Sequence, residues 1–115
     1  MTAVPTPTSE LKLEIVKAPE GTLVRCTGKI TSNSSGMLRT EVRGLIPEAK
    51  RIVLDLTDVT YMDSSGLGAL VSLYVSARGQ SCQLKVIHLN QRLQELFRLT
   101  KVASIFEGRD DLPWG

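Results

Sequence analysis

Val53-Leu54-Asp55-Leu56-Thr57-Asp58-Val59-Thr60-Tyr61-Met62-Asp63-Ser64-Ser65-Gly66-Leu67-Gly68-Ala69-Leu70 is the stretch around which the rest of the chain is organised. With Ile52 in front, it opens on a β-branched and aliphatic run that reads as a strand covered on both faces. A short connection follows, and then a helix beginning Asp63-Ser64-Ser65-Gly66. Leu67, Leu70, Val71, Tyr74 and Val75 recur at the spacing of one helical face. Arg78 supplies a cation in the last turn and Gly79 the expected residue just beyond the end.

The start of this helix is unusual. Asp63, Ser64 and Ser65 all carry oxygens able to accept the orphan N–H groups of a first turn. Gly66 and Gly68 follow at once, and each costs roughly 1 kcal/mol against alanine inside a helix. Tight packing of the helix start, close approach of something outside to its backbone, or both together would account for them. A hydroxyl on an exposed helix N-terminus also suits a phosphate, which adds about −1.5 to −2 charges and three acceptor oxygens. Free N–H groups and the positive end of the dipole would accept that charge without unfolding the domain.

The remainder of the chain narrows the class. At 115 residues it makes one domain with a single core, and 42% apolar with 23% charged residues is ordinary globular usage. A net charge of +2, without a basic cluster interleaved with aromatics, gives no case for direct nucleic-acid binding. No apolar run approaches the roughly 20 residues of a membrane span, and no basic segment leads an apolar one as in a secretory signal. A cytoplasmic location without membrane insertion is the expectation. Cys26 and Cys82 show no ligand spacing, so both read as small buried residues and neither a metal nor a cofactor is expected.

In order, residues 1–9 read as a flexible tail, and Leu11, Leu13 and Ile15 alternate with charges in a half-buried strand. Pro19-Glu20-Gly21 turns the chain into a second strand over Leu23 to Ile30, giving an antiparallel hairpin. Any of Thr31, Ser32, Asn33 or Ser34 can cap a helix carrying Met37, Leu38, Val42, Leu45 and Ile46, which ends near Pro47. After the Ser64 helix come a strand from Cys82 to Leu89 and a helix capped by Asn90 that buries Leu93, Leu96 and Phe97. Val102 to Phe106 form a last turn or edge strand. The expected domain spans residues 10–108, with a tail over 109–115 that includes Trp114. Hairpin first and alternating helices and strands afterwards predict an α/β fold with a mixed sheet and helices packed on it.

Tyr61-Met62-Asp63-Ser64-Ser65-Gly66-Leu67-Gly68, after a strand ending Leu54-Asp55-Leu56, resembles the signature of the bacterial anti-sigma factor antagonists of the STAS domain family. The resemblance extends from about Leu11 to Phe106 and takes in Thr27-Gly28-Lys29-Ile30 and Leu93-Gln94-Glu95-Leu96-Phe97-Arg98-Leu99-Thr100-Lys101-Val102. It implies the STAS fold and a non-enzymatic regulator. In its unphosphorylated form this would bind a GHKL-type serine-kinase anti-sigma factor and free the sigma factor. By the same resemblance Ser64 is the phosphorylated residue, Ser65 a fallback, and a PP2C-type phosphatase the resetting partner. Asp63, Ser65, Gly66, Leu67, Gly68, Thr31, Ser72 and Leu73 would form the switch and partner surface. Family members commonly have an acidic residue where this chain has Thr31, which can instead cap the first helix or hydrogen-bond near Ser64.

Competing readings are weighed on the same residues. Asp63 and Ser64 can be no more than a helix cap, or Asp63 can orient the Ser64 hydroxyl toward a kinase. A hydrolase built on Ser64, Asp63 and His88 lacks the Gly-x-Ser-x-Gly elbow, and Asp63 adjoins Ser64 too closely to orient a histidine from behind. No P-loop or kinase loop accompanies Asp63. The small far side of the helix (Ala69, Ser72, Leu73, Ser76) is either covered by this domain or a partner's docking face, and the latter is slightly favoured. A STAS subunit of a lipid-transport ABC system, or a switch governing a non-transcriptional response, are the alternative functions.

Overall fold

The computed structural model describes residues 10–99 and the backbone of Thr2–Ala3. Its elements run β1 (Thr2–Ala3), β2 (Leu11–Ala18), β3 (Gly21–Ile30), α1 (Ser35–Leu45), a 3-10 turn (Ile46–Glu48), β4 (Arg51–Met62), α2 (Ser64–Gly79), β5 (Gln83–Ile87) and α3 (Gln91–Leu99). The sheet order is β1-β2-β3-β4-β5. Strands β2 and β3 form the expected antiparallel hairpin, and β4 pairs in parallel with β3 on one side and β5 on the other. Two residues of the expected N-terminal tail, Thr2 and Ala3, pair antiparallel with Val16 and Ile15. The expected turn over 102–106 and the tail over 109–115 lie outside the described residues.

One face of the sheet makes the core. Leu11, Leu13 and Ile15 of β2, Val24, Cys26 and Ile30 of β3, Ile52, Leu54 and Leu56 of β4, and Leu84 and Val86 of β5 are all buried. Full burial of each aliphatic chain contributes roughly 1.5–3 kcal/mol relative to exposure. Leu38, Val42 and Leu45 of α1, with Leu67, Leu70 and Leu73 of α2, join the same cluster. Leu93 and Phe97 of α3 are buried with them, and Leu96 packs on as a half-buried neighbour.

The expectation of a central strand covered on both faces is met on one face only. The opposite face carries Lys12, Glu14, Arg25 and Asp55, and Val53 there is half-buried. Nor is there a connection between strand and helix. Strand β4 continues through Thr57–Met62, pairing with β3 across two irregularities in register, and delivers the chain directly to Asp63. Inward positions then fall at Leu56, Val59 and Met62, so strict alternation is lost where the sequence suggested a loop.

Helix α2 is rotated from the expected face. Gly66, Leu67, Ala69, Leu70, Leu73 and Ala77 are buried, whereas Val71 and Tyr74 are half-buried and Val75 is 60% exposed. Helices α1 and α2 lie against one another, and Arg43 of α1 donates to the Ser72 hydroxyl at 3.5 Å. The small far side is therefore covered by this domain's own helix, and the favoured docking face is corrected: Ala69 and Leu73 are fully buried. Small residues permit the close approach. Gly79 is the last helical residue, and the left-handed position after the helix is Ser81, with φ 58°. None of the described helices is long and apolar enough to cross a membrane.

Candidate functional site

Strands β3 and β4 end together, Ile30 beside Met62, and each hands over to a helix at that edge. In open α/β sheets this carboxyl edge is where functional groups collect. Two short segments meet there: Thr31–Ser34 before α1, and Asp63–Ser64 at the start of α2. The Asp63 amide donates to Ile30 O at 3.3 Å, tying the second segment to the end of β3.

Asp63 is the N-cap of α2. Its backbone is extended, and Oδ1 accepts the N–H groups of Ser65 at 2.9 Å and Gly66 at 3.1 Å. The Leu67 amide already donates to Asp63 O at 3.0 Å. Of the two tasks open to Asp63, holding the helix start is the one seen. Ser65 is not the cap; it gives its amide to the cap. The amides expected to receive a phosphate are occupied by a carboxylate of this chain.

Ser64 and Ser65 are exposed. Among the described residues the Ser64 hydroxyl has no hydrogen-bond partner. The two glycines separate cleanly. A Cβ on buried Gly66 would collide with Ile30 O and lie 2.8 Å from both Ile30 Cγ2 and Met62 Cγ, so tight packing accounts for it. A Cβ on exposed Gly68 would meet nothing within 4 Å. Packing among the described residues gives no reason for Gly68.

The Thr31–Ser34 segment is held from three sides. The Ser34 hydroxyl donates to Lys29 O at 2.8 Å and accepts the Thr31 amide at 2.9 Å. Ser34 is the N-cap of α1 by position, yet its hydroxyl makes no cap bond, being used to close this loop. Thr31 Oγ1 accepts the Asn33 amide at 3.1 Å and donates to the carboxylate of Glu10. Glu10 O in turn accepts the Lys29 amide at 2.8 Å. Gly28, with φ 119°, lets the two backbones come this close, since a Cβ there would overlap Glu10 O. The Ser32 amide reaches Asp63 Oδ2 at 3.4 Å and joins the two segments.

Among the expected surface residues, Ser64, Ser65 and Gly68 are exposed, and Asp63, Thr31 and Ser72 are half-buried. Gly66, Leu67 and Leu73 are buried and support the surface from beneath. Sequence reading missed Glu10, since nothing local to it signals a bond to a residue 21 positions on.

The hydrolase reading separates into two networks. His88 Nδ1 lies 3.1 Å from Asp55 Oδ1 and 2.9 Å from Thr57 Oγ1, while the Thr57 hydroxyl donates to Asp55 at 2.5 Å. The single hydroxyl proton points at the carboxylate, so the ring nitrogen is the donor in this cluster. Burial pushes the Asp55 carboxyl up, but the side-chain and backbone bonds from Thr57 and the bond and charge of His88 carry it below its ordinary 3.8. His88 therefore serves Asp55, and Asp63 serves α2.

Comparison with known proteins points to one family. The STAS domain family matches residues 12–113. The chain is 33% identical over 84 residues to the anti-sigma-B factor antagonist of Bacillus subtilis (strain 168), covering 73% of this chain and 77% of that protein. The crystal structure of an anti-sigma factor antagonist from Mycobacterium paratuberculosis superposes with a TM-score of 0.76 at 17% identity, over 89% of this chain and 88% of that one. SpoIIAA, an anti-sigma factor antagonist solved in its unphosphorylated form, gives 0.68 at 13% identity, over 78% and 81%. A mixed sheet entered by a hairpin, a strand running straight into Asp63-Ser64, and a family match over nearly the whole length lead to one assignment: this chain belongs to the STAS domain family.

Proposed function

We propose that this protein is an anti-sigma factor antagonist switched at Ser64. Unphosphorylated, it binds a GHKL-type serine-kinase anti-sigma factor and releases the sigma factor that the kinase held. The kinase transfers a phosphoryl group to the Ser64 hydroxyl, the complex parts, and a PP2C-type phosphatase restores the serine. The protein acts in the cytoplasm as a binding partner and substrate, with no catalysis of its own.

The observation that carries this reading is the exposed, unbonded Ser64 hydroxyl beside an amide cradle that Asp63 has already filled. A phosphate at Ser64 cannot replace Asp63 on those amides without uncapping α2, which costs about 1 kcal/mol. It stands outward instead, adding about −1.5 to −2 charges beside a carboxylate. A partner surface fitted to a neutral serine then meets unfavourable charge and buried solvation, with no refolding required. Bare Gly68, one turn along the same helix, leaves room for that surface to come close.

The test is phosphorylation of the purified chain by the serine kinase that the Ser64→Ala variant retains from the native cytosol. Mass spectrometry should place one phosphate on Ser64, and Ser64→Ala should take up none. Phosphate on another residue would overturn the assignment. Capture of a membrane ATPase by Ser64→Ala and Ser64→Asp alike would favour the transport reading and return Ser64 to a helix start.

A further inference from the structure

The segment before α1 and the start of α2 are linked by two sets of hydrogen bonds, Glu10 with Thr31 and Asn33 and Ser32 with Asp63, joined through the loop backbone. The Glu10 carboxylate accepts from the Thr31 hydroxyl, which itself accepts the Asn33 amide at 3.1 Å. Between those two residues the Ser32 amide donates to Asp63 Oδ2 at 3.4 Å, and Asp63 Oδ1 holds the Ser65 and Gly66 amides. The Glu10 carbonyl fixes the Lys29 amide, so Glu10 grips the loop at its entry as well as at Thr31. A hydroxyl donating to an ionised carboxylate is a charge-assisted bond, stronger than a neutral one. Glu10 and Thr31 are both half-buried.

We infer that Glu10 is a positioning residue for Ser64: through Thr31 it fixes the Thr31–Ser34 loop against Asp63, and so sets the surface the kinase reads around the phosphorylated serine. The inference rests on the reading of Ser64 as the switch. Glu10 touches neither Ser64 nor the transferred phosphoryl group. Its effect is on recognition of the chain as a substrate and not on the transfer step.

Two measurements judge it. In the first, steady-state phosphorylation by the kinase captured above is compared for the wild type, Glu10→Ala, Thr31→Val, the double variant and a Glu14→Ala control. Glu14 lies in β2, the strand that follows Glu10, and pairs with Arg25 at 3.3 Å, away from the loop. The expected result is a KM about tenfold higher for each single variant, with kcat unchanged. The double variant should be less than additive, since the Glu10–Thr31 bond is lost in both single variants, and Glu14→Ala should match wild type. Unchanged KM in Glu10→Ala, additive effects in the double, or an equal effect from Glu14→Ala would overturn the inference.

The second measurement needs no kinase. Amide hydrogen exchange at Asn33 and Ser65 should quicken in Glu10→Ala and Thr31→Val but not in Glu14→Ala, with β4 amides unchanged in all. Unaltered exchange at Ser65 would overturn the coupling even if Ser64 is phosphorylated. Should Ser64 prove unphosphorylated, the proposed function falls while this exchange result still decides the coupling.

Discussion

Asp63 Oδ1 accepts the Ser65 amide at 2.9 Å, across the residue proposed to carry the phosphate. The helix start is thereby capped before any modification, and the hydroxyl of the serine between cap and amide has no partner among the described residues. Replacing Asp63 by alanine should cost about 1 kcal/mol from the lost cap. That corresponds to a fall in Tm of roughly 4–8 °C for a domain near this size, measured by thermal denaturation. Asp63→Asn retains an oxygen acceptor and should lose only a fraction of that.

The two glycines of α2 should respond oppositely. Gly66→Ala forces a methyl into Ile30 and Met62, and overpacking of this kind costs typically 1–3 kcal/mol. Gly68→Ala enters open space and should stabilise the chain by about 0.5–1 kcal/mol, the helix preference of alanine over glycine. The same variant should bind the kinase more weakly. Denaturant titrations and affinity measurements on both variants separate stability from recognition.

Much of this was readable in the sequence, for physical reasons. Ile52, Leu54 and Leu56 announce an inward strand face because burial on a sheet has a period of two, and Asn90 announces its cap, since its Oδ1 does accept the Leu93 amide at 2.8 Å. The face of α2 was misread because large side chains dominate any periodicity. The buried face includes two small residues, Ala69 and Ala77, beside Leu67, Leu70 and Leu73, whereas Val75 faces out. Contacts between distant positions leave no local trace: Glu10 with Thr31, and His88 with Asp55, depend on β3 lying between β2 and β4 and on β5 lying beside β4.

The Asp55 cluster should make stability depend on acid pH. The carboxyl's folded pKa lies below its ordinary 3.8, so its contribution is fully present above that value and is lost as pH falls through the folded pKa. Thr57→Val should therefore destabilise the protein at neutral pH by about 1.5–3 kcal/mol, the range for hydrogen bonds to a charged group. The deficit relative to wild type should begin to shrink as pH falls below 3.8 and disappear below the folded pKa, where Asp55 is protonated in both. Urea titrations at a series of pH values check both the sign and the window.

Cys26 should be inert in the native state. It is fully buried, and burial first, with the nearby Asp55 charge, pushes its thiol up to about 12. Thiol labelling at mildly alkaline pH should leave Cys26 unmodified until the chain is unfolded, because the thiolate is the reactive form. Rapid labelling of Cys26 in the folded protein would contradict the described packing of β3.

The central claim is that one phosphate on Ser64 abolishes partner binding without disturbing the fold. The most direct measurement is the affinity of the captured serine kinase for the unmodified chain and for the chain phosphorylated at Ser64, with the circular dichroism of both forms compared. The account predicts a loss of about a hundredfold or more, equivalent to some 2.7 kcal/mol, with matching spectra. Equal affinities for the two forms would contradict it.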